Sequence, residues 1–321
     1  MKTTTKSWLI AAVLLIIIGA VIFTVSLIAY NGDLSSFSTV KYQTNEHEIS
    51  EQFTDISINT TTANIVFYPS DDSSCKVTCY ERENEIHTVK VEDGTLKITY
   101  VDEREWYEHI GINIGSSRVT IYLPAYEFSS LTIREDTGSV VLTSDFGFET
   151  IDIKSSTGNV HCGEATAESI KIRTSTGKIE LTSIECSSLD LKVSTGNITV
   201  SEAKCDGDIK IEVSTGRTKL VGVSCKNLTS KGDTGDITLK KVVATEKLSV
   251  TRSTGDVIFD ACDAAEISAK TSTGDVSGTL RSSKVFITET DTGDVDVPKS
   301  TEGGLCEITT STGDIEITVS E

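Results

Sequence analysis

Two patterns of apolar residues divide this chain of 321 residues. From Ser7 to Tyr30 it reads SWLIAAVLLIIIGAVIFTVSLIAY, an apolar run without a charge. At helical rise such a run is about 36 Å long, which suffices to cross a bilayer with some tilt. Further along, apolar side chains recur at every second position, as in Leu189, Leu191 and Val193, then Ile198 and Val200. Alternation of this kind predicts strands with one buried face. Between the two halves of each unit stands a polar corner, Ser-Thr-Gly-Asp or a near variant, whose Gly can take the positive φ of a tight turn.

The corner repeats. Its Gly falls at 138, 158, 177, 196, 216, 235, 255, 274, 293 and 313, a mean spacing of about 19.4 residues. A fixed period of this length marks a solenoid. A third stretch with small residues at alternate positions completes each unit: Ile184/Cys186, Ala203/Cys205, Val223/Cys225, Val242/Ala244 and Cys262/Ala264. About nineteen residues leave no room for a helical crossover between parallel strands. Each unit is therefore one coil, paired with the next about 4.8 Å along the axis. The expected fold is all-β: a parallel β-solenoid of about ten coils of about 19–20 residues, with an irregular β-rich N-terminal cap and one preceding transmembrane helix.

The expected divisions are a cytosolic tail at 1–6, a transmembrane signal anchor at 7–30, a polar extracellular stalk at 31–52, irregular opening coils or cap at 53–130, and the regular solenoid at 131–321. Within the opening part Asp55–Tyr68, Cys75–Tyr80 and Val89–Tyr100 alternate, the last around an Asp93-Gly94 hairpin turn. Lys2 and Lys6 precede the apolar run and the first charge after it is Asp33. The positive-inside rule then places the N-terminus in the cytosol and the remainder outside the cell membrane. A cleaved signal peptide is the competing reading. It calls for a shorter apolar region and small residues before the cut, which Leu27-Ile28-Ala29 does not supply.

Composition narrows the function. The formal net charge is −19, which argues against nucleic acid as a partner. There are 4 His, none after His161, so general bases are scarce. Asp136-Thr-Gly matches the aspartic-protease signature, with Asp233-Thr-Gly and Asp291-Thr-Gly as potential partners. That chemistry needs two carboxylates sharing one proton, and three coils separate Asp233 from Asp291, about 14 Å. Polysaccharide-active solenoids build clefts from long loops, for which corner intervals of 19 or 20 residues leave no room. No catalytic residue, cofactor or metal ligand is assigned.

Three features remain as candidates. Asp236, Asp256, Asp275, Asp294 and Asp314 follow the corner Gly in successive copies, a ladder suited to weak binding of cations. The bland reading is that Asp caps the turn. A specific calcium site is not expected, because the glycine-rich repeat of calcium-binding β-rolls is absent. The 8 Cys fall mostly at inward positions, where they serve as small apolar residues. An exterior location also permits disulfides, but the column Cys186, Cys205 and Cys225 cannot pair completely. Cys75 and Cys79 have no His close in sequence, so a zinc site is not expected there. Finally, Trp106 and Tyr107 form an aromatic pair in an acidic loop, a candidate contact for a partner or simply the tip of a solvated hairpin.

Several segments carry a family resemblance: Phe53-Thr-Asp-Ile-Ser-Ile, Ala63-Asn-Ile-Val-Phe, Asp93-Gly-Thr-Leu-Lys-Ile, Val119-Thr-Ile-Tyr-Leu-Pro124, and the Ser-Thr-Gly-Asp repeats. Together with the N-terminal apolar run they resemble the DUF4097 family of bacterial β-strand-repeat proteins, labelled as adhesins, over about residues 50–321. The resemblance implies a cell-envelope location and this fold, and supplies no catalytic residues. The expected function is a non-enzymatic surface scaffold for adhesion, interaction or envelope-stress sensing, anchored through residues 7–30. Its partner would be an unidentified protein, peptide or envelope component. The alternative is an acidic rod that binds cationic peptides or divalent cations.

Overall fold

The computed structural model describes residues 3–29, 40–71, 74–106, 115–143 and 146–320. Helix α1 (Thr3–Ala29) contains an apolar span, Trp8–Ala29, that is long enough to cross a membrane and is not buried among the described residues. The same length and composition fit a signal sequence. The rest is a succession of short sides: each coil has a first side before the Thr-Gly corner, a second side after it and a short third side. Equivalent sides pair in parallel from coil to coil, as in Leu189 on Ile209 and Ile198 on Thr218.

Register follows from the corner. Gly196 has φ 142°, and a Cβ there would stand 1.8 Å from the carbonyl oxygen of Gly177. No other residue fits so close to the neighbouring backbone. With corners aligned, inward side chains form columns: Ile151, Ile170, Leu189, Ile209, Leu228, Leu248, Ile267 and Cys306 lie one above another, all buried. Each such side chain contributes roughly 1.5–3 kcal/mol by burial. The narrow third side holds Ala167, Cys186, Cys205, Cys225, Ala244 and Ala264. All eight cysteines are free and buried, and burial pushes the Cys162 and Cys225 thiols up to about 12.

A second corner, six residues after the Gly, was not foreseen. Ser183, Glu202, Gly222, Lys241 and Ala261 all adopt φ between 51° and 64° there. Only one of the five is Gly, so no residue type marks the position.

Chain order and stacking order differ at both ends. At the start, β2 (Asp55–Pro69) pairs on one edge with β5 (Thr95–Asp102) and β6 (Ser117–Leu123), and on the other with β7 (Phe128–Thr137) and β8 (Val140–Leu142). Three antiparallel strands close the stack: β4 (Glu85–Glu92) on β5, β3 (Cys75–Arg82) on β6, and β1 (Tyr42–Ile49) on β3. The Asp93-Gly94 turn forms, with φ of 51° and 73°. Tyr42–Ile49 was expected in a polar stalk. Its inward positions Asn45, His47 and Ile49 instead face the sheet, opposite Cys79, Val77 and Cys75.

At the far end, the C-terminal coil lies inside the stack. Gly304–Thr312 pairs with Val257–Lys270 on one side and Lys284–Thr292 on the other, and Ile315–Val319 sits between Val276–Leu280 and Val295–Asp296. Corners therefore run 255, 274, 313, 293. Pro298 explains the order. It ends the second side of its coil after only Val295–Asp296, and it has no N–H to donate to a ladder. Placed last, this short coil leaves one incomplete edge; placed inside, it would leave two.

An inward file three residues before the corner Gly is polar in most coils, with Val193, Val213 and Gly232 as its apolar members. Thr60, Glu135 and Ser155 stack in register, followed by Thr174. Thr271 and Thr310 donate their hydroxyls to the corner carbonyls of Gly255 and Gly274. In the same file the buried Arg252 donates to Thr218 Oγ1 at 2.9 Å, across the space that Gly232 leaves open. Glu135 is buried, and among the described residues neither of its oxygens accepts a hydrogen bond. Burial pushes its carboxyl up to about 7; the Ser155 hydroxyl beside it pulls the other way from outside hydrogen-bonding geometry.

Two outcomes follow. Gly196→Ala loses about 3 kcal/mol of unfolding free energy in chemical denaturation, whereas the outward Thr199→Ala changes it by less than about 0.5 kcal/mol. For Glu135 the folded state keeps a proton that the unfolded state has already released, so stability falls as pH rises from about 4.5 to about 7 and is then flat. Glu135→Gln removes that decline, and by pH 8 the variant exceeds wild type by about 2–3 kcal/mol. Equal urea midpoints at pH 8 would contradict this.

Candidate functional site

The outward face of the second side carries aromatic, basic, amide and acidic side chains. On this face β8, β2, β6, β3 and β1 lie side by side, and their pairing sets three rows. The first is Ser139, Asn64, Arg118, Tyr80 and Thr44; the second Val141, Val66, Thr120, Thr78 and Glu46; the third reaches Tyr68, Tyr122, Lys76 and Glu48. Alternation turns these side chains outward, because residues between them, such as Ile65, Phe67, Val119 and Ile121, fill the core. Tyr68 and Tyr122 stack with ring centroids 5.7 Å apart, and Tyr42 and Tyr80 at 5.0 Å. An open groove of about 580 Å³ lies over Asn64, Tyr68, Arg118, Thr120 and Tyr122.

The first row continues along the whole rod, because the residue after each corner Gly faces outward here. It passes through Asn159, Lys178, Asn197 and Arg217, then Asp236, Asp256, Asp275, Asp314 and Asp294. The expected aspartate ladder is thus the acidic end of a face whose other end is aromatic and basic. Its members are also hydrogen-bonded from coil to coil. The N–H of Asp256 donates to Asp236 Oδ1 at 3.2 Å, that of Asp275 to Asp256 at 3.0 Å, and those of Asp314 and Asp294 to the next carboxylate at 2.8 Å. Asn64, Asn159 and Asn197 accept the same bond without a charge.

Other expected candidates fare differently. Trp106 is 77% exposed just after β5, where Arg104 pairs with Asp102 at 2.8 Å and with Glu85. Tyr107 lies outside the described residues. The corners of Asp233 and Asp291 are four layers apart, because the 313 coil intervenes, so these two carboxylates do not meet. Sequence reasoning missed Tyr68, Tyr122 and Arg118. Their outward phase was readable, but their adjacency was not, because β2 separates β6 from β8.

Family models place the chain. The Toastrack DUF4097 model matches residues 53–213 and 203–321. The chain belongs to the Toastrack DUF4097 family. Solved structures of similar shape include a "putative adhesin" from Bacteroides fragilis, 15% identical over 87% of this chain and 97% of that one, with a TM-score of 0.41. Another "putative adhesin", from Parabacteroides merdae, is 11% identical over 87% and 96%, with a TM-score of 0.48. A "putative lipid binding protein" from Parabacteroides distasonis is 16% identical over 86% and 97%, with a TM-score of 0.35. No curated protein matches the chain. At such identities the neighbours carry no assignment of function to this Toastrack chain.

The ladder bonds make a further outcome measurable. Asp256→Asn keeps the acceptor for the Asp275 N–H and removes a charge between two others. It raises unfolding free energy by about 0.5 kcal/mol at low salt, and the gain shrinks at high salt as the carboxylates are screened.

Proposed function

We propose that this Toastrack chain is a non-enzymatic module of the cell surface, held by an uncleaved N-terminal anchor, whose contact surface is the tyrosine-lined groove of the opening coils. The observation that carries this reading is the juxtaposition of Tyr68, Tyr122, Arg118, Asn64 and Thr120 on one exposed face. Stacked aromatic rings offer flat apolar area, while the guanidinium, amide and hydroxyl around them offer directed hydrogen bonds. That combination suits the ring faces and hydroxyls of a saccharide in an envelope polymer.

The anchor reading rests on the length of Trp8–Ala29 and the lysines before it. The non-enzymatic reading draws support from burial. A hydroxyl–imidazole–carboxylate chain does exist, with Thr60 Oγ1 2.8 Å from His87 Nε2 and His87 Nδ1 2.7 Å from Glu81. Thr60 is only 2% exposed, however, which leaves a substrate no approach to it. A second reading, binding of cationic peptides, is favoured by the run of aspartates at the other end of the same face.

Binding of the detergent-solubilised full chain to a glycan array, and to a synthetic oligolysine, separates the two. Tyr68→Ala combined with Tyr122→Ala lowers saccharide binding about tenfold or more, while Asp256→Asn with Asp275→Asn leaves it unchanged. Saccharide binding that survives the tyrosine changes removes the groove as the contact surface. Salt-sensitive oligolysine binding, lost with the aspartates and without any saccharide binding, puts the cationic reading in its place.

A further inference from the structure

Two cysteines of β3 had no histidine close in sequence, and on that ground no metal was expected. The fold changes the neighbourhood. Cys79 and Glu81 point inward from β3, two residues apart, and the turn at Arg82 and Glu85 returns the chain so that His87 on β4 reaches them. We propose that Cys79, Glu81 and His87 form a binding site for a divalent transition-metal ion of the zinc class.

The ligand atoms of all three side chains lie within 4.8 Å of one another, and the three residues are 0%, 0% and 4% exposed. Bonds of about 2.0–2.3 Å from a central ion hold ligands at that kind of separation. Thiolate, imidazole and carboxylate together are a donor set for zinc rather than for calcium or magnesium. The outer partners also match. Asn45 Nδ2 donates to Glu81 Oε1 at 2.7 Å, and Thr60 Oγ1 sits 2.8 Å from His87 Nε2. The carboxylate and the imidazole thereby each have their far atom fixed, as metal ligands require. On β1 the buried His47 Nε2 has no partner among the described residues, and His47 lies opposite Val77, in register between Cys75 and Cys79.

Charge points the same way. Within ion-pairing distance Glu81 meets His87 and, among the described residues, no Lys or Arg. A dication balances the carboxylate and one thiolate together, so the buried cluster carries no net charge. On binding, the Cys79 thiol proton leaves to solvent. In the neutral tautomer with its proton on Nδ1, facing Glu81, that proton moves to Nε2 and Thr60 Oγ1 turns from donor to acceptor.

Cobalt(II) and zinc(II), added to the detergent-solubilised full chain after chelator treatment, test this. One equivalent of cobalt gives a thiolate-to-cobalt charge-transfer band, which zinc displaces. Cys79→Ser loses the band, His87→Gln weakens cobalt binding about tenfold or more, and Cys186→Ala keeps both. X-ray absorption on the zinc-loaded wild type finds one sulfur at about 2.3 Å with nitrogen or oxygen at about 2.0–2.1 Å, which does not depend on any variant folding. Absence of the band from folded wild type, its persistence in folded Cys79→Ser, or a sulfur count other than one overturns the site and leaves a buried hydrogen-bonded cluster.

Discussion

Close backbone contact at the Thr-Gly corner governs the rest of the molecule. Because the Cβ position of Gly196 falls almost on the carbonyl of the coil beside it, coils can stack there in only one register. A slip of one residue would place a side chain in that contact and would also turn every inward side chain outward. Corner and core thus enforce the same alignment. Once it is set, the choice of residue within each column is loose, and Cys306 can follow Ile267 in a column of isoleucines and leucines.

The same alignment makes surface chemistry cumulative. A residue type that recurs at one phase becomes a stripe, and a change of type along the chain becomes a gradient. The first outward row shows both, from Tyr80 and Arg118 through Lys178 and Arg217 to Asp294. Cross-coil ion pairs on the first side arise likewise: Arg134 with Asp152, Arg173 with Asp190 and Lys192 with Glu212, each at 2.7 Å. Being half-exposed, each of these pairs adds at most about 1 kcal/mol. Their effect is to neutralise the middle of the rod, so the acidic end stands apart.

What could be read from sequence was whatever each coil states for itself. Period-two alternation gave the inward residues, and Thr-Gly gave the corner. The second corner stayed hidden because Ser183, Glu202, Lys241 and Ala261 enter the left-handed region with no common chemistry. Stacking order stayed hidden for a deeper reason. Every coil offers the same pairing edge, so local pattern does not distinguish the 313 coil from the 293 coil as neighbour of the 274 coil. Pro298 decides between them, and only through the number of ladders it would interrupt. The groove depended on the same missing knowledge, since Tyr68 and Tyr122 are neighbours only because β2 pairs with β6. The Cys79, Glu81 and His87 cluster needed the turn after Arg82, which no turn motif announces.

The acidic end invites one more step. Asn64, Asn159 and Asn197 show that the corner needs only a side-chain oxygen to accept the next coil's N–H. An amide supplies it as well as a carboxylate does, and without repulsion. Five consecutive layers nevertheless carry Asp, at a spacing of about 4.8 Å, where like charges oppose stacking. Folding therefore does not account for the charge at these positions; it only tolerates it. The charge acts outward, on solubility and on whatever approaches the far end of the face, while the uncharged form of the same bond is kept next to the tyrosines, where a carboxylate would sit beside Arg118 and compete for it.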